Sequence, residues 1–114
     1  MQKNIIIDET EIFYTIEGVG EVVILLHGWP QTSYMWRKII PNLSKNFKVI
    51  TLDLPGLGNS SDTKTYDTKN IATILNKFIK NLQIEKFHLV HISEYSDRNA
   101  GVQPDTFAMR FSRV

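Results

Sequence analysis

Between residues 5 and 17 the chain reads as two short strands. Ile5 to Ile7 and Glu11 to Glu17 are joined by a turn at Asp8-Glu9-Thr10. The second strand sets Ile12, Tyr14 and Ile16 on one face and Phe13 and Thr15 on the other, the period-2 signature of a half-buried strand. Gly18-Val19-Gly20 breaks it. Val22-Val23-Ile24-Leu25-Leu26 is then apolar without alternation, as expected of a strand covered on both faces by helices. That run stops at His27-Gly28-Trp29-Pro30. A second strand-like run, Phe47 to Leu54, ends in the turn-rich Pro55-Gly56-Leu57-Gly58-Asn59-Ser60-Ser61, and Phe87-His88-Leu89-Val90 is a third.

Helical spacing fills the gaps between these strands. Thr32 or Ser33 can cap a helix that carries Met35, Trp36, Ile39, Ile40 and Leu43, with Pro41 expected to limit or bend it. Asp67 or Thr68 can cap the next. There Ile71, Ile74, Leu75, Phe78, Ile79 and Leu82 form one apolar stripe, and Lys69, Lys77 and Lys80 lie off it on a solvated face. Strands and helices alternating in this way imply parallel strands joined by crossover helices. After Val90 the pattern dissolves. Residues 93–114 are rich in Ser, Asp, Arg and Asn with scattered apolar positions, so the division expected is a partial α/β domain over 1–92 and a divergent, poorly structured tail over 93–114.

Composition narrows the function classes. At 114 residues, 42% hydrophobic and with a net charge of +1, the chain fits one small globular domain and gives no electrostatic reason to expect nucleic acid. With no cysteine, disulfides and thiolate chemistry are excluded, and a reducing compartment fits. The three consecutive isoleucines near the N-terminus are too few for a signal-peptide core, and no apolar run approaches the ~20 residues that span a bilayer. A cytoplasmic protein with no membrane partner is the expectation.

The candidate chemistry lies at the strand ends. In parallel α/β sheets, ligand sites form beyond the carboxyl ends of the strands. Gly28 permits a sharp turn there, Pro30 stiffens it, and a backbone N–H past the turn can serve as an oxyanion-hole donor. The segments Leu25-Leu26-His27-Gly28-Trp29-Pro30-Gln31, Trp36, Asp53-Leu54-Pro55-Gly56-Leu57-Gly58-Asn59-Ser60-Ser61 and Phe87-His88-Leu89-Val90 occur in an order and at spacings that carry a family resemblance. Over roughly residues 10 to 90 the chain resembles the α/β-hydrolases, most of all the branch of epoxide hydrolases and fluoroacetate or haloalkane dehalogenases. The resemblance implies the N-terminal part of the α/β-hydrolase fold: an N-terminal hairpin plus a mostly parallel sheet with flanking helices. It implies hydrolysis of a small-molecule epoxide, organohalide or ester through a covalent intermediate, without cofactor or metal. The Trp29 N–H then matches an oxyanion-hole donor, and the Trp29 side chain either packs or lines the pocket. His27 matches the histidine that supports this loop, not the base of a triad. Asp53 matches a structural aspartate, with Gly56 and Gly58 shaping the turn that follows.

The pattern breaks where a nucleophile is due. The family's strand-to-helix elbow reads Gly-x-Asp-x-Gly or Gly-x-Ser-x-Gly. Here the segment is His91-Ile92-Ser93-Glu94-Tyr95, so Ser93 takes the nucleophile position while His91 and Tyr95 replace both glycines. Ser93 is then either a nucleophile in a divergent elbow or a surface serine of the tail. The histidines are His27, His88 and His91, none where the family keeps its base, and no later strand supplies the acid. Gln103-Pro104-Asp105-Thr106-Phe107 resembles a family segment beyond the elbow helix, whereas Glu94 to Val102 does not, as paired frameshifts would leave it. The expectation is a truncated hydrolase without activity of its own. The alternatives are an active hydrolase using Ser93 and a non-catalytic binding module. The isolated chain is also expected to be marginally stable, with the outer edge of Phe87–Val90 unpaired and apolar residues among Val22–Leu26 and Val49–Leu54 left wet.

Overall fold

The computed structural model describes residues 1–27, 32–91 and 112–113. The first two strands, β1 (Gln2–Ile7) and β2 (Thr10–Glu17), form an antiparallel hairpin. Its two-residue turn puts Asp8 and Glu9 at positive φ, 48° and 69°, the backbone twist that a tight hairpin demands. Three parallel strands follow, β3 (Glu21–Leu26), β4 (Phe47–Leu52) and β5 (His88–His91). The sheet order is β1-β2-β4-β3-β5-β6, with β6 (Ser112–Arg113) antiparallel to β5. The sheet is therefore mixed: parallel through β4, β3 and β5, antiparallel toward both edges.

Helices cover both faces of the parallel trio. The chain leaves β3 for β4 on one side and crosses back over β3 to reach β5 on the other. Right-handed crossovers running in opposite directions put their helices on opposite faces. One face carries α2 (Thr68–Asn81), capped by Asp67, whose side chain accepts the Asn70 N–H at 2.7 Å. Its stripe seats the fully buried Ile74 and Phe78 against Ile12, Tyr14, Ile24, Ile50 and Leu52, and the Phe78 ring meets Tyr14 edge-on at 5.1 Å. Lys69, Lys77 and Lys80 face solvent, and Lys77 pairs with Asp8 in the hairpin turn.

The opposite face carries a 310 helix (Ser33–Trp36) and α1 (Ile40–Leu43). The sequence pattern suggests one helix from residue 32 to 43, and Pro41 explains why there are two short pieces. Proline has no N–H for the Arg37 carbonyl and its ring takes up that carbonyl's space, so Pro41 is accommodated only in the first turn of a new helix. Trp36 nonetheless fills its place in a second core with Val23, Leu25, Val49 and Val90.

Two expectations about stability change. The strands β3 and β4 are not left wet: Ile24, Leu25, Val49, Ile50 and Leu52 are all buried, because α2 covers one face and the Trp36 region the other. The outer edge of β5 is not bare either, since His88 and Leu89 pair with Arg113 and Ser112. What stays open is an apolar groove of about 380 Å³ between α2 and the sheet, lined by Leu26, Leu75, Ile79, Ile84 and Leu89.

Candidate active site

Three strands end level. Leu26, the last residue of β3, stands beside Leu52 of β4 on one side and His91 of β5 on the other. The strand ends at His27, Asp53 and His91 therefore lie side by side. β4 flanks β3 on one side and β5 flanks it on the other, and the carboxyl ends of such parallel strands are where an α/β sheet places its ligand crevice. Of the candidate residues, His27 lies at this edge, whereas Gly28, Trp29, Pro30 and Ser93 lie outside the described residues.

His27 is 2% exposed, and its Nε2 accepts the Leu54 backbone N–H at 2.9 Å. A ring nitrogen that takes a backbone N–H offers it a lone pair, so the contact ties the exit of β3 to the exit of β4. The other two histidines lie at opposite ends of β5. His88 begins β5, at the opposite end of the sheet from the crevice, with Nε2 3.2 Å from Glu21 Oε1. His91 closes β5 rather than following it.

Asp53 is as deeply buried as His27, also at 2%. Its Oδ1 accepts the Ser33 N–H at 2.7 Å and its Oδ2 the Asn59 N–H at 2.9 Å. Backbone donors thus satisfy both oxygens of a carboxylate that would otherwise be costly to bury. Gly56 and Gly58 turn the chain around it at positive φ, 79° and 54°. The serines at the end of this loop stitch it to the hairpin. The Ser60 hydroxyl donates to the Asp53 carbonyl at 2.6 Å and accepts the Phe13 N–H at 2.9 Å, while Ser61 Oγ accepts the Glu11 N–H at 2.8 Å. Sequence reasoning did not assign Ser33, Ser60 and Ser61 to the site. The Asp-x-x-Gly-x-Gly-x-Ser spacing was the available signal for Ser60.

Asp53 lines a cleft of about 290 Å³ of mixed character, together with Phe13, Thr32, Arg37, Ile40 and Asn59 among others. Farther along the loop, Tyr66 donates to Asp62 Oδ1 at 2.6 Å, and that hydrogen bond holds the phenol above its ordinary value. Among the described residues no group of three or more His, Asp or Glu side chains could hold a metal ion, and no helix is long and apolar enough to cross a membrane. The arrangement can fix two loops at the crevice.

Comparison with known proteins matches this architecture. The model of the alpha/beta hydrolase fold covers residues 21–93. A soluble epoxide hydrolase from Corynebacterium sp. (strain C12) is 40% identical over 78 residues, which are 68% of this chain and 27% of that protein. A fluoroacetate dehalogenase from Burkholderia sp is 32% identical over 90 residues, 74% of this chain and 30% of that protein. Among solved structures, the epoxide hydrolase CorEH without ligand superposes with a TM-score of 0.74 at 36% identity, over 78% of this chain and 32% of that one. The chain spans about a third or less of the length of these relatives.

Proposed function

The chain belongs to the α/β-hydrolase family, and from that premise we propose that it forms the oxyanion-side part of a hydrolase acting on a small epoxide, organohalide or ester, and that the 114-residue polypeptide does not turn such substrates over by itself. One observation carries the reading: β3, β4 and β5 end level at the switch point, and buried His27 and Asp53 fasten the first two exits together. In hydrolysis through a covalent intermediate, a nucleophile attacks from one loop while backbone N–H groups on another take up the developing charge. In this reading the oxyanion loop follows β3 and the nucleophile position follows β5, and the level strand ends support it.

The inactivity rests on residue types. His91 and Tyr95 stand where the elbow needs glycine, so the tight turn that presents a nucleophile is disfavoured. The remaining histidines, His27 and His88, are committed to structure at Leu54 and Glu21. The test is an assay of the purified chain against a model epoxide, fluoroacetate and a nitrophenyl ester, with no turnover above background as the expected result. The reading in which Ser93 acts as nucleophile has one observation in its favour, the family match running through residue 93. Turnover lost in Ser93→Ala would establish that reading and overturn ours. Tight binding of one of these compounds without turnover would instead mark a binding module. The proposal includes a cytoplasmic location, supported by the cysteine-free sequence and tested by cell fractionation.

A further inference from the structure

Among the described residues no strand lies beyond β1, which is the outermost of the sheet. The hairpin settles which of its backbone groups are committed. A two-residue turn at Asp8 and Glu9 makes Ile7 and Thr10 a hydrogen-bonded pair, and the Ile16 N–H donates to the Met1 carbonyl at 3.0 Å. In an antiparallel ladder such pairs alternate, so Met1, Lys3, Ile5 and Ile7 bond to β2. The N–H and C=O groups of Gln2, Asn4 and Ile6 therefore point outward, away from β2.

Edges of this kind are commonly blunted by proline, a bulge or charged side chains. β1 has neither proline nor bulge, its register against β2 runs unbroken from Gln2 to Ile7, and Lys3 is its charged residue. Ile6 is 70% exposed, whereas Ile5 and Ile7 on either side of it turn to the core under α2. The outward residues are also spaced symmetrically about Asn4. We propose that β1 is a self-pairing edge, through which two copies of this chain form a closed dimer with antiparallel strands crossing at Asn4. In that register Asn4 faces Asn4 of the partner subunit and Gln2 faces Ile6 of the partner subunit. The outward donors of each copy then meet the outward acceptors of the other, and none is left over. Lys3 lies opposite Ile5 of the partner subunit, where its stem can cover the isoleucine while the ammonium stays in water. Sliding the strands by two residues in either direction leaves an outward residue of each copy unpaired. In one direction it also sets the two Lys3 side chains directly opposite each other, which is unfavourable. A second copy suits this edge because a two-fold pairing consumes both edges at once and closes. The contact of one strand pair falls below the ~1,200 Å² of standard interfaces, so the dimer is a reversible one. β2 and β4 lie between β1 and β3, so the pairing leaves the crevice open.

Sedimentation velocity on the full chain, over about 1 μM to 1 mM, should show a monomer passing into a dimer as concentration rises. Across the same range, amide exchange should slow at Gln2, Asn4 and Ile6 and stay unchanged at Ile24 in the sheet centre. Asn4→Pro deletes the central donor, which β2 does not use, and should weaken the dimer about tenfold. Where Asn4→Pro is not recovered folded, Asn4→Lys and Asn4→Asp carry the test at an exposed position. Each alone sets like charges across the axis and should weaken association about threefold or more, and an equal mixture of the two should restore it. A chain that remains monomeric throughout would overturn the proposal. So would a dimer that all three variants leave unweakened, since that dimer would be built on another surface. Neither result bears on catalysis, so this inference and the hydrolase reading can fail separately.

Discussion

Gly58 and Asp53 occupy one another's space: a Cβ on Gly58 would lie 2.3 Å from Asp53 Oδ2 and 2.5 Å from its Cγ. The carboxylate cannot retreat without releasing the Ser33 and Asn59 N–H groups. Gly58→Ala should therefore cost roughly 2–3 kcal/mol, combining an unfavourable φ with a displaced buried charge. Urea unfolding followed by circular dichroism measures it, and a midpoint equal to that of the unchanged chain would contradict the contact.

Trp36 is 6% exposed, and its Nε1 is the buried side-chain donor without a hydrogen-bond partner among the described residues. Its indole contributes packing and no hydrogen bond. Trp36→Phe removes an unsatisfied donor along with part of the ring, so the expected change is within about 1 kcal/mol. Trp36→Ala should cost about 3–5 kcal/mol by emptying the core beside Val23, Leu25 and Val49. Equal losses in the two variants would show that the N–H matters after all.

On the α2 face the two ends of the stripe should behave differently. Phe78 is 0% exposed and Phe78→Ala should cost about 3–5 kcal/mol, a large part of the ~5–15 kcal/mol available to a typical domain. Leu75 lines the open groove, and Leu75→Gln should cost only about 1 kcal/mol while lowering the binding of an apolar fluorescent dye. Undiminished dye binding in that variant would place the exposed apolar surface elsewhere.

Tyr66 gives a pH signature. Its hydroxyl is hydrogen-bonded to the Asp62 carboxylate, which raises the phenol above its ordinary value. The fold favours the neutral phenol, so this contribution is complete below the unfolded-state value and fades as pH climbs through the folded one. An absorbance titration should show a phenol ionising above 10, and Tyr66→Phe should abolish that component. An unchanged titration curve in the variant would refute the assignment.

The parts legible in the sequence were those governed by local period. The α2 stripe and its Asp67 cap follow from residues within one turn of each other, and so do the two faces of β2. The turn at Asp8 and Glu9 was located correctly but not its positive φ values, which come from the pairing of its flanks. Alternation says which way a side chain points and not which strand lies beside it, so the antiparallel pairing of β2 with β4 was not readable. The Phe47 strand was drawn through Leu54, whereas β4 stops at Leu52 because the Asp53 carboxylate and the Leu54 N–H turn to Ser33 and His27. Those contacts join residues 20 and 27 positions apart, beyond any periodic signal. The motif spacing located the loop after β4, and the hydrogen bonds that hold it come from distant parts of the chain.

The place of β3 in the sheet also governs how quickly the protein can assemble. Val23 stands beside Val49 and His88, which lie 26 and 65 positions later (49 − 23 and 88 − 23). The hairpin at the edge needs only neighbouring residues and can close on the order of microseconds. The central strand must wait for partners drawn from most of the chain, and topologies of that kind form on the order of milliseconds to seconds. Throughout that interval the apolar run Val22–Leu26 has neither neighbour, and a nascent or refolding chain is most open to association with its own kind there. Refolding yield should therefore fall as concentration rises even where the finished fold is stable.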